Sequence, residues 1–451
     1  MEKHTKISLN YPVNLTICQN LRILLNIYET KYSLNLNHLF TMAARKNLKR
    51  DFLFVSKVLG KHLAIRPIIL KIIGGILCRL WAEERENFHD PDTDILVQAL
   101  ISIENNQSTS LKFMEQVNKI LSSPIPLKHK TLFVGFAETA TGLAQSVFSS
   151  SSNSYYIHTT RENITQIRPS VFFCEEHSHA TDHMIYPLNS NIFDEVEDIV
   201  LIDDELTTGK TSLNLIRNLS DSKTFGIISI LDWRNDEYIK MYQNEKSRNI
   251  KVCSLVKGTI ECNKSGELAF DDPEVDYSHS PLAKHKDICF NAPDFVEGFI
   301  ESTGRFGISS EQNHLINKEI KQLAEILKKE QVKGNCLCLG TGEFIYIPCL
   351  LSAELGEKIF FHSTTRSPIY SMDCDHYAIK NKIAFPSHDD NNVTNYLYNI
   401  PRNFYDQVFV FSEKTFNEEA KKNFKKIFGY FNINNVIFVS WNPTTYKRNV
   451  I

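Results

Sequence analysis

The fifteen residues Asp198-Ile-Val-Leu-Ile-Asp-Asp-Glu-Leu-Thr-Thr-Gly-Lys-Thr-Ser212 constrain the fold of this chain more than any other stretch. The unbroken apolar run Ile199 to Ile202 predicts a central parallel strand covered on both faces. An acidic pair follows, Asp203 and Asp204, then a small-residue loop, Thr207, Thr208 and Gly209, then a helix opening near Thr211. Such a loop points backbone N–H groups and hydroxyls at one spot, beside the positive end of a helix dipole, and so forms a phosphate cradle. Two carboxylates just upstream accept hydrogen bonds from a vicinal diol, or hold Mg²⁺ through water. Phosphate on one side and diol on the other describe a ribose 5-phosphate. The string Gly209-Lys210-Thr211-Ser212 also resembles the tail of a nucleotide-triphosphatase P-loop, but that motif needs a glycine at position 204, which is Asp.

The chain of 451 residues is long enough for two or three domains. Its 50 basic and 53 acidic residues nearly cancel, so no global field recruits nucleic acid or an anionic membrane. No apolar run reaches bilayer length, and the first residues lack the apolar core of a secretory signal. The ten cysteines include no Cys-x-x-Cys, which weakens disulfide and zinc readings and leads to the expectation of a reduced, cytoplasmic protein.

Residues 1–125 are expected to be helical, with helical apolar spacing in Leu21 to Tyr28 and Pro67 to Ala82. Gly60, Lys61 and His62 read first as a solvated interhelical turn, and second as an anion contact. From Lys130 strands and helices alternate, the grammar of a doubly wound sheet. The strand Thr131 to Phe136 leads into a small-residue loop, Ala137, Glu138, Thr139, Ala140 and Thr141, where backbone N–H groups can approach an anion closely. Tyr155 to His158 is a second strand, delivering Arg161 to the same edge. Arg161 suits either bidentate anion binding or a surface ion pair. The segment Phe172 to His183, crowded with Glu175, His177 and His179, lacks a fixed ligand spacing for metal. Trp233, past the end of a later strand, suits stacking on a substrate ring or a core position. Residues 262–300 read as a polar connector or hood. Ser309 and Gln312 stand at capping-box spacing before a helix that leads to a third region.

That third region repeats the earlier grammar. Gly135, Glu138 and Thr159-Thr160-Arg161 correspond to Gly340, Glu343 and Thr364-Thr365-Arg366, with the same offsets in both copies. The repeat breaks where Phe411 and Ser412 replace Asp203 and Asp204, and no Thr-Thr-Gly follows.

These motifs resemble known families. Asp198 to Ser212 resembles the phosphoribosyl pyrophosphate (PRPP) motif of type I phosphoribosyltransferases. Together with Gly135 to Thr141, Gly304-Arg-Phe-Gly307 and Thr365-Arg366-Ser367-Pro368, the chain from about residue 50 onward resembles phosphoribosyltransferases fused to a TRSP domain. These are similar, in their catalytic half, to orotate phosphoribosyltransferases. The resemblance implies an α/β fold: a doubly wound parallel-sheet core with a helical N-terminal region and a second, degenerate Rossmann-like domain. The expected boundaries are 1–125, 126–300 and 301–451. It implies PRPP binding by Thr207, Thr208, Gly209, Lys210 and Thr211 at the 5-phosphate, with pyrophosphate at Ala137 to Thr141, Arg161 and Lys61. Asp203 and Asp204 would hold the ribose diol and Mg²⁺, while Glu175, His177 and His179 would sit on a closing lid and assist departure of pyrophosphate. The acceptor would be a small molecule. Such proteins occur beside bacterial stress-response genes associated with tellurite resistance, so a homodimer or stress- and defence-operon proteins are the expected partners. A nucleotide-depleting effector and a PRPP sensor without turnover are the alternatives.

Overall fold

The computed structural model describes residues 11–47, 50–174, 182–267, 272–292, 294–374 and 377–443. Its larger sheet has eight strands, in the order Tyr11–Cys18, Leu21–Thr30, Asn249–Lys264, Thr224–Asp232, Asp198–Leu206, Ile125–Gly135, Ser151–His158 and Ile308–Ser309. The strands from Asn249–Lys264 to Ser151–His158 run parallel, and the outer pairings are antiparallel. Asp198–Leu206 lies inside this sheet, with Ile199, Val200, Leu201 and Ile202 fully buried, as a strand flanked and covered on both sides must be. The helices Ile68–Glu86 and Ala140–Ser149 lie on one face, where Ser146 Oγ donates to the Leu70 carbonyl at 2.7 Å. Gly74 has no room for a Cβ against Ser146, which is why these two helices approach so closely.

The segment Leu21 to Tyr28, expected as helix, is part of the strand Leu21–Thr30. Leu21, Ile23, Leu25 and Ile27 are buried in alternation. The run Leu-Arg-Ile-Leu-Leu satisfies both a period of two and a helical stripe. Pairing with the long strand Asn249–Lys264 decides between them. Helices do follow in this N-terminal region, at Ile68–Glu86, Asp92–Glu104 and Leu111–Leu121.

A second, all-parallel sheet has the order Lys284–Ala292, Asn435–Pro443, Gln407–Phe411, Cys336–Gly340 and Ile359–Ser363. Its outer strand Lys284–Ala292 comes from the stretch expected to be a connector. Polar on most positions, it reads as loop in sequence and becomes a strand only by pairing with Asn435–Pro443. The helix Ser310–Lys328 starts with the expected capping box, in which Ser309 N–H donates to Gln312 Oε1 at 2.8 Å and Gln312 N–H to Ser309 Oγ at 3.3 Å.

The repeat is repeated hydrogen bond by hydrogen bond. Thr159 N–H donates to the Gly135 carbonyl at 2.9 Å, and Thr364 N–H to that of Gly340 at 3.0 Å. Ala137 N–H donates to Thr159 Oγ1 at 2.9 Å, and Gly342 N–H to Thr364 Oγ1 at 3.1 Å. Thr160 exchanges two backbone bonds with Met184, in the hairpin Val171–Cys174/Asp182–Ile185, and Thr365 does so with Tyr396, in the hairpin Lys382–Pro386/Thr394–Tyr398. No helix among the described residues is long and apolar enough to cross a membrane.

Candidate active site

In an open α/β sheet, ligands bind beyond the carboxyl ends of the strands where the connection order reverses. In the larger sheet that point lies between Ile125–Gly135 and Asp198–Leu206, since the chain leaves the first strand to one side and returns on the other. Gly135 pairs with Ile202, so Asp203 is the first residue past the register at this crevice. The burial of the strand changes there. Ile202 is fully buried, whereas Asp203, Asp204 and Glu205 are partly exposed, and Leu206 returns to the core. The acidic pair therefore lies at the lip of the sheet and not inside it. Asp204 N–H donates to Asp203 Oδ1 at 2.9 Å, which sets the two carboxylates in sequence along the rim.

Past Leu206 the chain turns through Thr207, Thr208 and Gly209 into the helix Lys210–Arg217. Gly209, the residue before the helix, has φ +70°, the left-handed region. Tyr242 braces it from beneath by donating its hydroxyl to the Gly209 carbonyl at 2.5 Å, and the Arg234 guanidinium lies 4.6 Å over the Tyr242 ring. Thr208 Oγ1 accepts the Lys210 N–H at 3.3 Å. A Cβ at Gly209 would strike the Tyr242 hydroxyl and ring. Gly209→Ala is therefore expected to destabilise this turn by about 1–3 kcal/mol. Scanning calorimetry of the variant beside the parent checks this.

Facing this turn across the crevice is the loop that ends Ile125–Gly135. Ala137, Glu138, Ala140 and Thr141 are buried, and Thr139 is half-buried. Into it reaches Lys61. Its loop, expected to be a solvated turn between helices, instead joins the strand Phe52–Ser56 to the helix Ile68–Glu86, and Lys61 and His62 are only 8% and 5% exposed. Lys61 Nζ donates to Thr139 Oγ1, and among the described residues no carboxylate lies within ion-pair distance of it. Burial pulls its ammonium below the usual lysine value. Glu138 and Asp204 oppose that pull, and Arg161 and Arg45 reinforce it. A lysine nine-tenths buried without a carboxylate partner is costly, and an anion carried in by a ligand would offset the cost. Glu138 is buried too, and its Oε1 has no hydrogen-bond partner among the described residues. The crevice thus holds opposite needs: Lys61 suits phosphate oxygens, while Glu138 near it and Asp203 and Asp204 on the facing side suit hydroxyl donors or a hard cation.

Arg161 is half-buried and electrostatically close to Lys61. Glu205, at the end of the acidic run, is engaged by the protein itself. Arg50 holds it through two hydrogen bonds of 3.1 and 2.6 Å while lying over the Phe52 and Phe54 rings. Burial pushes the Glu205 carboxyl up, and Arg50 pulls against it. Trp233 is core and no stacking platform. It is 5% exposed and stacks on Phe54, with ring centres 5.0 Å apart.

With this geometry, two family profiles match the chain: phosphoribosyl transferase over residues 39–259, and the TRSP domain found C-terminal to that transferase over residues 302–428. The chain belongs to the TRSP-linked phosphoribosyl transferases. No curated protein matches it. Among solved structures, adenine phosphoribosyltransferase of Trypanosoma brucei, in complex with AMP, pyrophosphate and ribose-5-phosphate, is 13% identical, over 48% of this chain and 76% of that one, at a TM-score of 0.26. Orotate phosphoribosyltransferase of Mycobacterium tuberculosis, in complex with PRPP, is 10% identical, over 41% of this chain and 87% of that one, at a TM-score of 0.18.

Of the residues singled out in sequence, this family member brings Asp203, Asp204, Thr207, Thr208, Gly209, Lys210 and Thr211 to one side of the crevice. Ala137, Glu138, Thr139, Ala140, Thr141 and Arg161 lie on the other. Glu175, His177 and His179 lie outside the described residues. The flanking hairpin is described: Phe173 stacks on His183 at 5.3 Å, and His183 Nδ1 meets Thr159 Oγ1 at 2.8 Å, beneath the Ala137 N–H. Sequence reasoning missed Tyr242 and Arg50, which brace the cradle and the acidic run. Both act over long separations in sequence, and neither carries a local motif.

Proposed function

We propose that this chain transfers the phosphoribosyl group of PRPP to a small-molecule acceptor, releasing pyrophosphate. The observation that carries the proposal is the buried Lys61, without an ion-pair partner among the described residues, aimed at the loop Ala137 to Thr141, across the crevice from Asp203, Asp204 and the Gly209 turn. In this reading the 5-phosphate takes the amides and hydroxyls of Thr207 to Thr211, with Lys210 beside them. The ribose diol takes Asp203 and Asp204, and the pyrophosphate takes the 137–141 loop, Lys61 and Arg161. The donors at the lip are carboxylate oxygens open to water, which fits Mg²⁺, an ion that keeps several waters and shares oxygens with phosphates. Asp203 and Asp204 would hold it, and it would supply charge neutralisation for the leaving group. Bond cleavage leaves cationic character at the sugar C1, so the residues act by positioning and by charge. Glu175, His177 and His179 are assigned to the lid that keeps water from that centre.

The test is to incubate the protein with PRPP, Mg²⁺ and a metabolite extract, then follow pyrophosphate release and new phosphoribosylated masses. A new mass together with stoichiometric pyrophosphate is the expected result, and its identity names the acceptor. PRPP binding without pyrophosphate release would make the chain a sensor. Failure to bind PRPP at all would end the proposal.

A further inference from the structure

The C-terminal sheet has its own crevice, at the equivalent reversal between Cys336–Gly340 and Gln407–Phe411. That crevice is filled from within. Arg305, 2% exposed, stands in it, with both Glu413 oxygens 2.9 Å from its Nη1 and Glu343 Oε2 3.2 Å from its Nη2. Glu413 occupies the place in the repeat that Glu205 holds in the first copy. Here the protein's own guanidinium compensates the carboxylates that border the crevice, and the cavity left beside Gly342, Arg366 and Lys414 measures about 20 Å³, too small for a sugar phosphate.

Glu343 has a second set of partners, and these belong to the other half. Its Oε2 accepts the Thr160 hydroxyl at 2.7 Å, and its Oε1 accepts the Arg161 N–H at 2.9 Å. With its side chain 6% exposed and held by Arg305 on one side, Glu343 fixes both residues through charge-assisted bonds, stronger than bonds between neutral groups. The same half also grips the Lys61 loop. Ile65 exchanges backbone bonds of 2.9 and 2.8 Å with Phe361, Ser363 Oγ donates to the Gly60 carbonyl at 3.3 Å, and Asn399 Nδ2 to that of His62 at 3.0 Å. Gly60, at φ +70°, has Phe361 packed where a Cβ would stand. Both cationic residues assigned to pyrophosphate, Lys61 and Arg161, are therefore mounted on the C-terminal half. The cradle of Gly209 is braced instead by Tyr242, within the first half.

We infer that the TRSP half is the frame of the pyrophosphate end of the site, with Glu343 as its positioning residue, holding Thr160 and Arg161 in the shape the leaving group meets. The inference rests on the phosphoribosyl-transfer proposal above, and it divides the site into two ends that respond to different substitutions. Isothermal titration of the full chain with inorganic pyrophosphate, and separately with ribose 5-phosphate, both with Mg²⁺, reads the two ends apart. In Glu343→Gln the pyrophosphate Kd is expected to rise roughly tenfold, the loss of a charged hydrogen bond, while the ribose 5-phosphate Kd stays within about twofold. Thr160→Val removes one of the same bonds from the other side, keeps the Arg305 network, and is expected to raise the pyrophosphate Kd about threefold. Should Glu343→Gln not fold, Thr160→Val carries the test alone. Unchanged pyrophosphate affinity in the folded variants overturns the inference, as does an equal loss of both ligands, which would mark a merely structural role. A wild-type protein that binds neither ligand overturns the phosphoribosyl proposal itself, and this inference with it.

Discussion

The double substitution Asp203→Asn with Asp204→Asn is expected to abolish PRPP turnover, lowering the rate by roughly four orders of magnitude or more, with little change in melting temperature. In the proposed reaction each carboxylate at the lip would accept hydrogen bonds from a sugar hydroxyl and place negative charge near a centre that becomes cationic. Single electrostatic contributors of this kind are worth about 10²–10³ in rate, and residues acting as a unit are not additive. Asn keeps the volume and one acceptor oxygen, so the Asp204 N–H bond to residue 203 can persist. Both side chains are partly exposed, where substitution seldom moves stability by more than about 0.5 kcal/mol. Pyrophosphate release assayed beside a thermal melt checks both halves of this expectation. Turnover within about tenfold of the parent, in a folded double variant, would falsify the assignment of the diol and Mg²⁺ to this pair.

Lys61→Met is expected to separate function from stability more widely still. Losing one charged hydrogen-bond donor to a phosphate costs about 1.5–3 kcal/mol of binding, so the pyrophosphate Kd should rise roughly 10- to 100-fold. The unliganded protein, however, loses a buried ammonium with no carboxylate partner among the described residues and gains an apolar side chain of similar length. Its melting temperature should hold or rise. The pH dependence gives a second check. Burial sets the folded pKa of Lys61 below the 10.5 of the unfolded chain, so between these two values the unfolded state binds the extra proton. Lys61 thus makes stability rise with pH across that window and withholds stability below it. Lys61→Met should flatten this slope in melts taken on the alkaline side. A variant that loses stability and keeps pyrophosphate affinity would assign Lys61 to the fold and not to the ligand.

Much of the site was legible before any coordinates, and for one reason. The strand Asp198–Leu206, the left-handed Gly209 and the helix Lys210–Arg217 are contiguous, so every group that shapes the cradle sits at a fixed offset along the chain. The repeat was legible in the same way: Gly135 and Thr159-Thr160 against Gly340 and Thr364-Thr365 survive as matching hydrogen bonds. The helical spacing of Leu21 to Tyr28 misled because five apolar and polar residues in a row fit two periods, and of the two partner strands that decide between them one lies more than two hundred residues away. Lys61 misled for a related reason. A Gly-Lys-His turn is polar in composition, and nothing local says that Ile65 will pair with Phe361 and bury it.

The sequence alone therefore determined the strand, turn and helix on which the phosphate-and-diol proposal rests, and the existence of a second, altered copy, because both are written in short-range spacing. Only the tertiary structure decided what the second copy is set against. Glu343 meets Thr160 and Arg161, and Arg305 closes the crevice behind it, through contacts between residues far apart in the chain. Such contacts follow from how two sheets dock, and docking is settled by the complementarity of whole surfaces and not by any residue's neighbours in sequence.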